Sequence, residues 1–191
     1  MRQGFYVNSA ECIGCRACQV ACKDKNALDT GILFRRVRTF EVGAYPTARI
    51  YHLAITCNHC DSPACAEACP VGSMHIDEAD GTVQHDDSRC IGCGYCVEAC
   101  PYGVPQFLEE ERLATKCDAC YQLRQNGEQP ACVAACPMRA LEFGPVDELC
   151  AAHPDAVQEV AVLPAPTQTH PNTLITPKPA ALEPGFREIR I

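Results

Sequence analysis

The sequence has no long apolar run. No stretch among its 191 residues approaches the roughly 20 consecutive apolar residues that a membrane-spanning helix needs. The segment before Cys12 also lacks the apolar region of a signal peptide and a twin-arginine motif. We therefore expect no direct membrane span and no export signal in this chain, and we expect any association with a membrane to come through partner proteins.

An excess of basic residues is also missing. The chain has 24 Asp and Glu residues against 16 Lys and Arg residues, which gives a formal net charge of −8. Proteins that bind nucleic acids present a basic face to the phosphates, so we expect no nucleic-acid partner. Catalytic motifs are absent as well, and we predict no catalytic residues and a non-catalytic role within a larger oxidoreductase.

Cysteine, in contrast, is abundant and regularly spaced. Sixteen of the seventeen cysteines fall into four groups of four. Groups one and three have the C-x2-C-x2-C-x3-C spacing that wraps a cubane iron–sulfur cluster in bacterial ferredoxins. In chain order, group one is Cys12, Cys15, Cys18 and Cys22, group two is Cys57, Cys60, Cys65 and Cys69, group three is Cys90, Cys93, Cys96 and Cys100, and group four is Cys117, Cys120, Cys132 and Cys136.

Zinc and disulfides are the two alternatives to iron. Zinc ribbons draw two ligands from each of two distant knuckles, whereas Cys90, Cys93 and Cys96 lie in one seven-residue run, as a cubane requires. Disulfides are expected in small exported domains, but pairs at C-x2-C ligand spacing favour metal. We therefore predict four [4Fe-4S] clusters. Each oxidised site adds −2, which takes the formal charge from −8 to about −16.

The groups form an internal duplication. Groups one and three share Cys-Ile-Gly-Cys, at residues 12–15 and 90–93. Groups two and four share Pro-Ala-Cys, at residues 63–65 and 130–132. Each repeat therefore brings two cysteine groups.

Strand signals around the groups predict which groups lie together. Residues 73–76 and 82–85 flank the turn dipeptide Asp80-Gly81 and predict a hairpin that brings group three beside group two. Residues 4–7 and 138–143 predict strands whose pairing would bring group one beside group four. The alternative pairs group one with two and group three with four.

The nested pairing has a consequence for the ligands, because in two-cluster ferredoxins the last cysteine of each run ligates the other cluster. It predicts four ligand sets: Cys12, Cys15, Cys18 and Cys136; Cys117, Cys120, Cys132 and Cys22; Cys57, Cys60, Cys65 and Cys100; and Cys90, Cys93, Cys96 and Cys69.

We predict an α+β fold of two ferredoxin-like modules of the bacterial 2[4Fe-4S] type with this nested pairing. Residues 1–33 and 104–153 form the module of groups one and four, and residues 57–103 form the module of groups two and three. Residues 34–56 alternate polar and apolar side chains and predict a β-hairpin insertion. Its arginines are expected on a solvated strand face, with a docking surface for an acidic partner as the alternative.

The last part of the chain is rich in proline. Residues 146–152 predict a short helix that carries Cys150, the odd cysteine, for which we expect a structural role and no ligand role. Residues 154–191 predict an extended tail, either disordered or laid along a partner, and the apolar residues around Leu174 favour the partner.

The order of the groups and three short phrases carry a family resemblance. Cys57-Asn58-His59-Cys60, Cys100-Pro101-Tyr102-Gly103 and Phe143-Gly144-Pro145 closely resemble the iron–sulfur electron-transfer (beta) subunit of the dimethyl sulfoxide reductase family of molybdopterin oxidoreductases. The resemblance implies a molybdopterin-containing catalytic subunit and a membrane anchor that oxidises menaquinol. It also implies a peripheral location on the outer face of the cytoplasmic membrane after co-export, with the cytoplasm as the alternative.

Two functional hypotheses follow. In the first, the chain relays electrons through four [4Fe-4S] clusters between a quinol-oxidising anchor and the molybdopterin subunit of an anaerobic respiratory reductase. In the alternative, it is a soluble polyferredoxin-type carrier, or a subunit that serves a formate dehydrogenase or a hydrogenase.

Overall fold

A computed structural model describes residues 2–190, which form small sheets and short helices. The strands are β1 (Gln3–Asn8), β2 (Arg36–Val42), β3 (Arg49–Ile55), β4 (Met74–Ile76), β5 (Val83–His85), β6 (Gln106–Leu108), β7 (Leu113–Thr115), β8 (Leu141–Pro145), β9 (Thr173–Thr176) and β10 (Phe186–Ile189). The α-helices are α1 (Ala17–Lys25), α2 (Ala64–Glu67), α3 (Tyr95–Ala99), α4 (Tyr121–Gln125), α5 (Ala131–Ala134) and α6 (Val146–Ala152). Short 3₁₀ turns lie at Asp87–Arg89, Pro166–Gln168 and Pro179–Leu182.

The two ends of the chain meet in one sheet, of strand order β8-β1-β9. Strand β1 pairs antiparallel with β8, with Phe5 opposite Phe143, and parallel with β9, with Val7 opposite Ile175. Phe5 and Val7 are buried, as is Tyr6 between them, so both faces of β1 are covered. Aromatic and β-branched residues suit such a strand. This sheet brings the segment before group one beside the segment after group four, and α1 packs against α5.

A second sheet has the order β10-β2-β3. Strands β2 and β3 pair antiparallel over their full lengths, with Phe40 opposite Tyr51. These two rings are fully buried and stacked, with centroids 5.2 Å apart, and Phe186 of β10 meets Phe40 edge-on. The sheet shares one apolar core with Phe5 and Val7 of β1.

The middle of the chain forms two short hairpins, β4–β5 and β6–β7. Helices α2 and α3 pack together beside the first hairpin. A second core joins Met74, Val83 and Ala114 to Cys65 and Cys96, which belong to groups two and three. Cysteine side chains therefore occupy positions that aliphatic side chains fill in most small proteins.

The C-terminal segment differs from its prediction. Strand β9 extends the sheet of β1, and β10 extends the sheet of β2. Val160, Leu174 and Ile175 are buried in the chain's own cores. The expectation of a tail that is disordered or laid along a partner was wrong for residues 154–190. The two strands fall where proline is absent, so their backbone N–H groups are free to pair. Ile191 lies outside the described residues.

No helix within residues 2–190 is both long and apolar enough to cross a bilayer.

Candidate iron–sulfur sites

Four cysteines from the two ends of the fold surround one open cavity. Cys12, Cys15, Cys18 and Cys136 line a cavity of ≈ 340 Å³, which we call site I. Cys12 and Cys15 lie in the loop before α1, Cys18 lies in the first turn of α1, and Cys136 follows α5. The loop turns at Gly14, whose φ of 71° is strained for residues with a side chain.

A second cavity lies in the middle of the chain. Cys69, Cys90, Cys93 and Cys96 line a cavity of ≈ 290 Å³, which we call site IV. Cys69 follows α2, and the other three belong to the loop before α3 and its first turn. The cavity therefore joins the last cysteine of group two to the first three cysteines of group three.

The thiols of Cys22, Cys117, Cys120 and Cys132 are buried together, and we call them site II. Burial, together with the negative charges that Cys117, Cys132 and Cys120 carry as thiolates, raises the pKa of the Cys22 thiol to about 12. Cys22 lies in the last part of α1, which packs against α5 with its Cys132.

The remaining set is Cys57, Cys60, Cys65 and Cys100, which we call site III. Burial raises the pKa of the Cys60 and Cys65 thiols to about 12, and Cys57 and Cys100 act on both as neighbouring negative charges. Cys57, Cys60 and Cys65 are buried, and Cys100 is partly buried.

The four sites differ in their access to solvent. One cysteine of site I, Cys15, and one cysteine of site IV, Cys93, are exposed. The cysteines of site II are all buried, and those of site III are buried or partly buried. Sites I and IV therefore open at the surface, while sites II and III lie in the interior.

Backbone N–H groups point at several sulfur atoms. Ala119 donates to Cys117 Sγ at 3.3 Å, Ala140 donates to Cys136 Sγ at 3.3 Å, and Met74 donates to Cys69 Sγ at 3.4 Å. Such donors stabilise a thiolate over a thiol. At Cys69, burial raises the pKa, but the N–H groups of residues 71–74 outweigh it and lower the pKa below its usual value. These converging backbone N–H groups stabilise a negatively charged sulfur atom.

The donor sets fit iron–sulfur clusters. Sites I and IV each bring four cysteine thiols around one cavity, and four cysteine thiolates are the ligand set of a [4Fe-4S] cluster. Within residues 2–190, no three His, Cys, Asp or Glu side chains converge closely enough to hold one metal ion. Thiols with pKa values raised by burial stay protonated at neutral pH, and a metal ligates them as thiolates with release of protons.

Two of the five buried side-chain polar atoms that have no hydrogen-bond partner within residues 2–190 belong to His59 and Arg35, which lie beside cysteines. His59 Nδ1 accepts a hydrogen bond from the Val83 N–H at 3.0 Å, so Nε2 carries the proton. Burial, then the positive charges of Lys116 and Arg124, hold the pKa of His59 well below its usual value, and the ring is neutral. His59 Nε2 and Arg35 Nε are buried without partners. Cluster sulfur atoms are acceptors of the kind that such donors need.

Arg35 corrects the prediction for the arginines of the hairpin. It was expected on a solvated strand face or a docking surface, but it is 1% exposed and its Nη2 donates to Cys132 Sγ at 3.3 Å. The alternation of side chains along a strand could have predicted this burial, because Arg35, Val37 and Thr39 are two residues apart and lie on the same buried face. Sequence reasoning also missed Lys116, which is 5% exposed and donates to the carbonyl groups of Val83 and Cys117.

Family models identify iron–sulfur domains in both halves of the chain. The model of the 4Fe-4S dicluster domain matches residues 48–146, and the model of a 4Fe-4S binding domain matches residues 9–27. These matches confirm that the chain is an iron–sulfur protein with ferredoxin-type domains.

Characterised relatives agree with the family models. The probable anaerobic dimethyl sulfoxide reductase chain YnfG of Escherichia coli K12 is 46% identical over 182 residues, or 91% of this chain and 88% of that protein. The B subunit of anaerobic dimethyl sulfoxide reductase from the same strain is 45% identical with the same coverage. The thiosulfate reductase electron transfer subunit PhsB of Salmonella typhi is 43% identical over 72% of each chain. The resemblance predicted from the sequence is confirmed, and this protein belongs to the family of iron–sulfur B subunits of anaerobic dimethyl sulfoxide reductases.

Proposed function

We propose that this chain is the electron-transfer subunit of an anaerobic respiratory reductase and relays electrons through four [4Fe-4S] clusters. The carrying observation is that sixteen cysteines gather as four sets of four, with two sets at the surface and two in the interior. The names of its relatives, which include a dimethyl sulfoxide reductase B subunit and an electron transfer subunit, support this role.

The proposed ligand sets are sites I to IV, with one [4Fe-4S] cluster in each. Two observations support this assignment. The four cysteines of site I line one cavity, and those of site IV line another. Within sites II and III, the cysteines lie close enough for their charges to shift one another's pKa values. The corresponding modules are residues 1–33 with 104–153, which hold sites I and II, and residues 57–103, which supply all eight cysteines of sites III and IV. Residues 34–56 are the inserted hairpin, and residues 154–190 return to the chain's own sheets through β9 and β10.

The proposed path runs in the order I, II, III, IV, in either direction. Each [4Fe-4S] cluster supplies a one-electron couple. Buried cysteines keep water away from sites II and III, and N–H···S hydrogen bonds hold the thiolates. Exposed apolar side chains lie beside the two outer sites: Ile13 near site I, and Ile91 and Tyr95 near site IV. Such side chains suit contacts with partner proteins at both ends of the relay.

The proposed partners are a molybdopterin-containing catalytic subunit at one end and a quinol-oxidising membrane anchor at the other. The assembly is peripheral to the membrane and reaches the outer face by export with the catalytic subunit. Membership of the family of dimethyl sulfoxide reductase B subunits supports the choice of these two partners.

A pair of variants tests the relay. Cys93→Ser alters the exposed ligand of site IV and should lower quinol-linked turnover of the purified complex about tenfold or more. Assays that reduce the catalytic subunit directly with an artificial donor should keep their rate. Cys150→Ser is the matched control, because this exposed thiol belongs to no site.

Two outcomes would contradict the proposal. Equal loss of both activities in Cys93→Ser would exclude a relay role for site IV. Purification of the cluster-loaded chain without a stoichiometric catalytic subunit would favour the soluble carrier that serves a formate dehydrogenase or a hydrogenase.

A further inference from the structure

A buried positive charge lies between two of the proposed cluster sites. Arg35 Nη2 donates to Cys132 Sγ of site II at 3.3 Å, and Nη1 donates to the Ala54 carbonyl at 3.0 Å. The guanidinium lies over the Phe5 ring, 4.6 Å from its centroid. Phe5 and Arg35 are both 1% exposed, so the charge is held in a place closed to water.

The counter-charge of Arg35 is sulfur. Among residues 2–190, the ion pairs of arginine with carboxylates involve other arginines. The negative groups that act on Arg35 are Cys132 and Cys117 of site II and Cys18 of site I. Burial lowers the pKa of Arg35, but these thiolates outweigh burial and raise it. Arginine is always charged in proteins, so the site carries a fixed positive charge at every relevant pH.

A fixed cation acts differently on the two oxidation states of a cluster. Reduction adds one electron and takes the core from 2+ to 1+, so the charge of core and thiolates together goes from −2 to −3. The added negative charge is attracted by a nearby cation, and this attraction is strong where water is excluded. Hydrogen bonds to the cluster sulfurs act in the same direction. Removing the cation therefore favours the oxidised state.

We propose that Arg35 is a positioning residue for electron transfer, whose fixed charge and N–H donors raise the reduction potential of site II, and less strongly that of site I. The inference rests on the ligand sets of the proposed function. Arg35 belongs to the inserted hairpin and stands directly before β2, so under this proposal the hairpin affects electron transfer. The unpartnered Arg35 Nε supplies a further donor to this region.

Substitution of Arg35 in the cluster-loaded full chain tests the proposal. Arg35→Met removes the charge and keeps a long apolar side chain over Phe5. A redox titration with dithionite, followed by electron paramagnetic resonance, should show a tenfold or greater fall in the reduced-to-oxidised ratio of site II at a given potential. Tenfold corresponds to about 59 mV for a one-electron couple. Site I should shift in the same direction by less, and site IV should not shift.

Two further variants separate charge from structure. Arg35→Lys keeps the charge and should recover more than half of the shift seen in Arg35→Met. Arg38→Gln is the matched control, since Arg38 lies three residues after Arg35, on β2, but is partly exposed and pairs with Glu188 at 2.5 Å. It should leave all four potentials unchanged.

Cysteine variants distinguish a wrong role for Arg35 from a wrong set of ligands for site II. Cys132→Ser and Cys22→Ser should alter the same resonance signal. If they altered different signals, the ligand set of site II would be wrong. If the two variants agree and Arg35→Met leaves the potential of site II unchanged, the role of Arg35 is overturned. Loss of iron from site II in Arg35→Met, with an unchanged potential at site I, would overturn it as well, because Arg35 would then only support the fold.

Discussion

At the residue scale, the last two cysteines of each group are four positions apart. The pairs are Cys18 and Cys22, Cys65 and Cys69, Cys96 and Cys100, and Cys132 and Cys136. Each pair brackets most of a short helix, where four residues correspond to a rise of about 6 Å. On the proposed ligand sets, one helical turn therefore links site I to site II in two helices and site III to site IV in two others, whereas none of these four helices links site II to site III.

This spacing gives the first prediction at the residue scale. Cys136→Ser should damage the site that holds Cys12, although more than 100 residues separate the two in sequence. We expect the iron content of the purified chain to fall by about a quarter, because one of four clusters is lost. Resonance spectra should lose the same signal in Cys136→Ser and Cys12→Ser.

The control for this prediction is Cys120→Ser, in the same group as Cys136. Its spectrum should lose a different signal, that of site II. If Cys136→Ser and Cys120→Ser removed the same signal, the groups would hold their clusters without exchange and the nested ligand sets would be wrong.

At the element scale, β1 is the inner strand that holds both ends of the chain. Gly4 of β1 lies opposite Gly144 of β8 in the antiparallel register. A Cβ atom at Gly4 would approach the Asn172 carbonyl oxygen, just before β9, to 1.9 Å, whereas a Cβ atom at Gly144 would meet nothing within 4 Å. The two glycines form a matched pair in one sheet.

Gly4→Ala should therefore destabilise the chain and loosen the C-terminal segment. Forcing extra atoms into a packed region costs about 1–3 kcal/mol, which lowers the melting temperature, and residues 172–176 should become more accessible to protease. Gly144→Ala should change the free energy of unfolding by less than about 0.5 kcal/mol. Equal melting temperatures for the two variants would show that β9 does not depend on this close approach.

Local and long-range features differed in how far the sequence revealed them. The cysteine groups were recognised because their spacing is set by the loop that wraps one cluster, and the short strands at 4–7 and 73–76 follow from local patterns. The place of β9 and β10 was missed because four-residue strands in a proline-rich segment give a weak signal, and their partners lie more than 100 residues away. Burial of Arg35 was missed because charged residues on strands usually face solvent.

At the scale of the whole molecule, the depth of the sites predicts two classes of cluster. Sites I and IV each have an exposed cysteine, and the cysteines of site II are all buried. An iron chelator or oxygen should therefore remove iron from the cluster-loaded chain in two phases of about equal size, the faster from sites I and IV. Absorbance of the ferrous chelate and resonance spectra taken at intervals would follow the two phases.

The control for these phases is the assembled complex. Partners that cover the two ends should slow the first phase and leave the second unchanged. Release in a single phase, or earlier loss of the site II signal, would contradict the proposed order from surface to interior.

The inner position of β1 also constrains how the protein is made. Strand β1 leaves the ribosome well before its partners, because β8 is translated more than 130 residues later and β9 more than 160 residues later. At about 5–20 residues per second, the N-terminal strand waits roughly 10 to 30 s with unpaired edges. On the proposed ligand sets, sites III and IV are complete in sequence once Cys100 is translated, whereas sites I and II need residues up to Cys136. Cluster insertion can therefore begin in the middle of the nascent chain, and the sheet around β1 closes only after β8 and β9 have been translated.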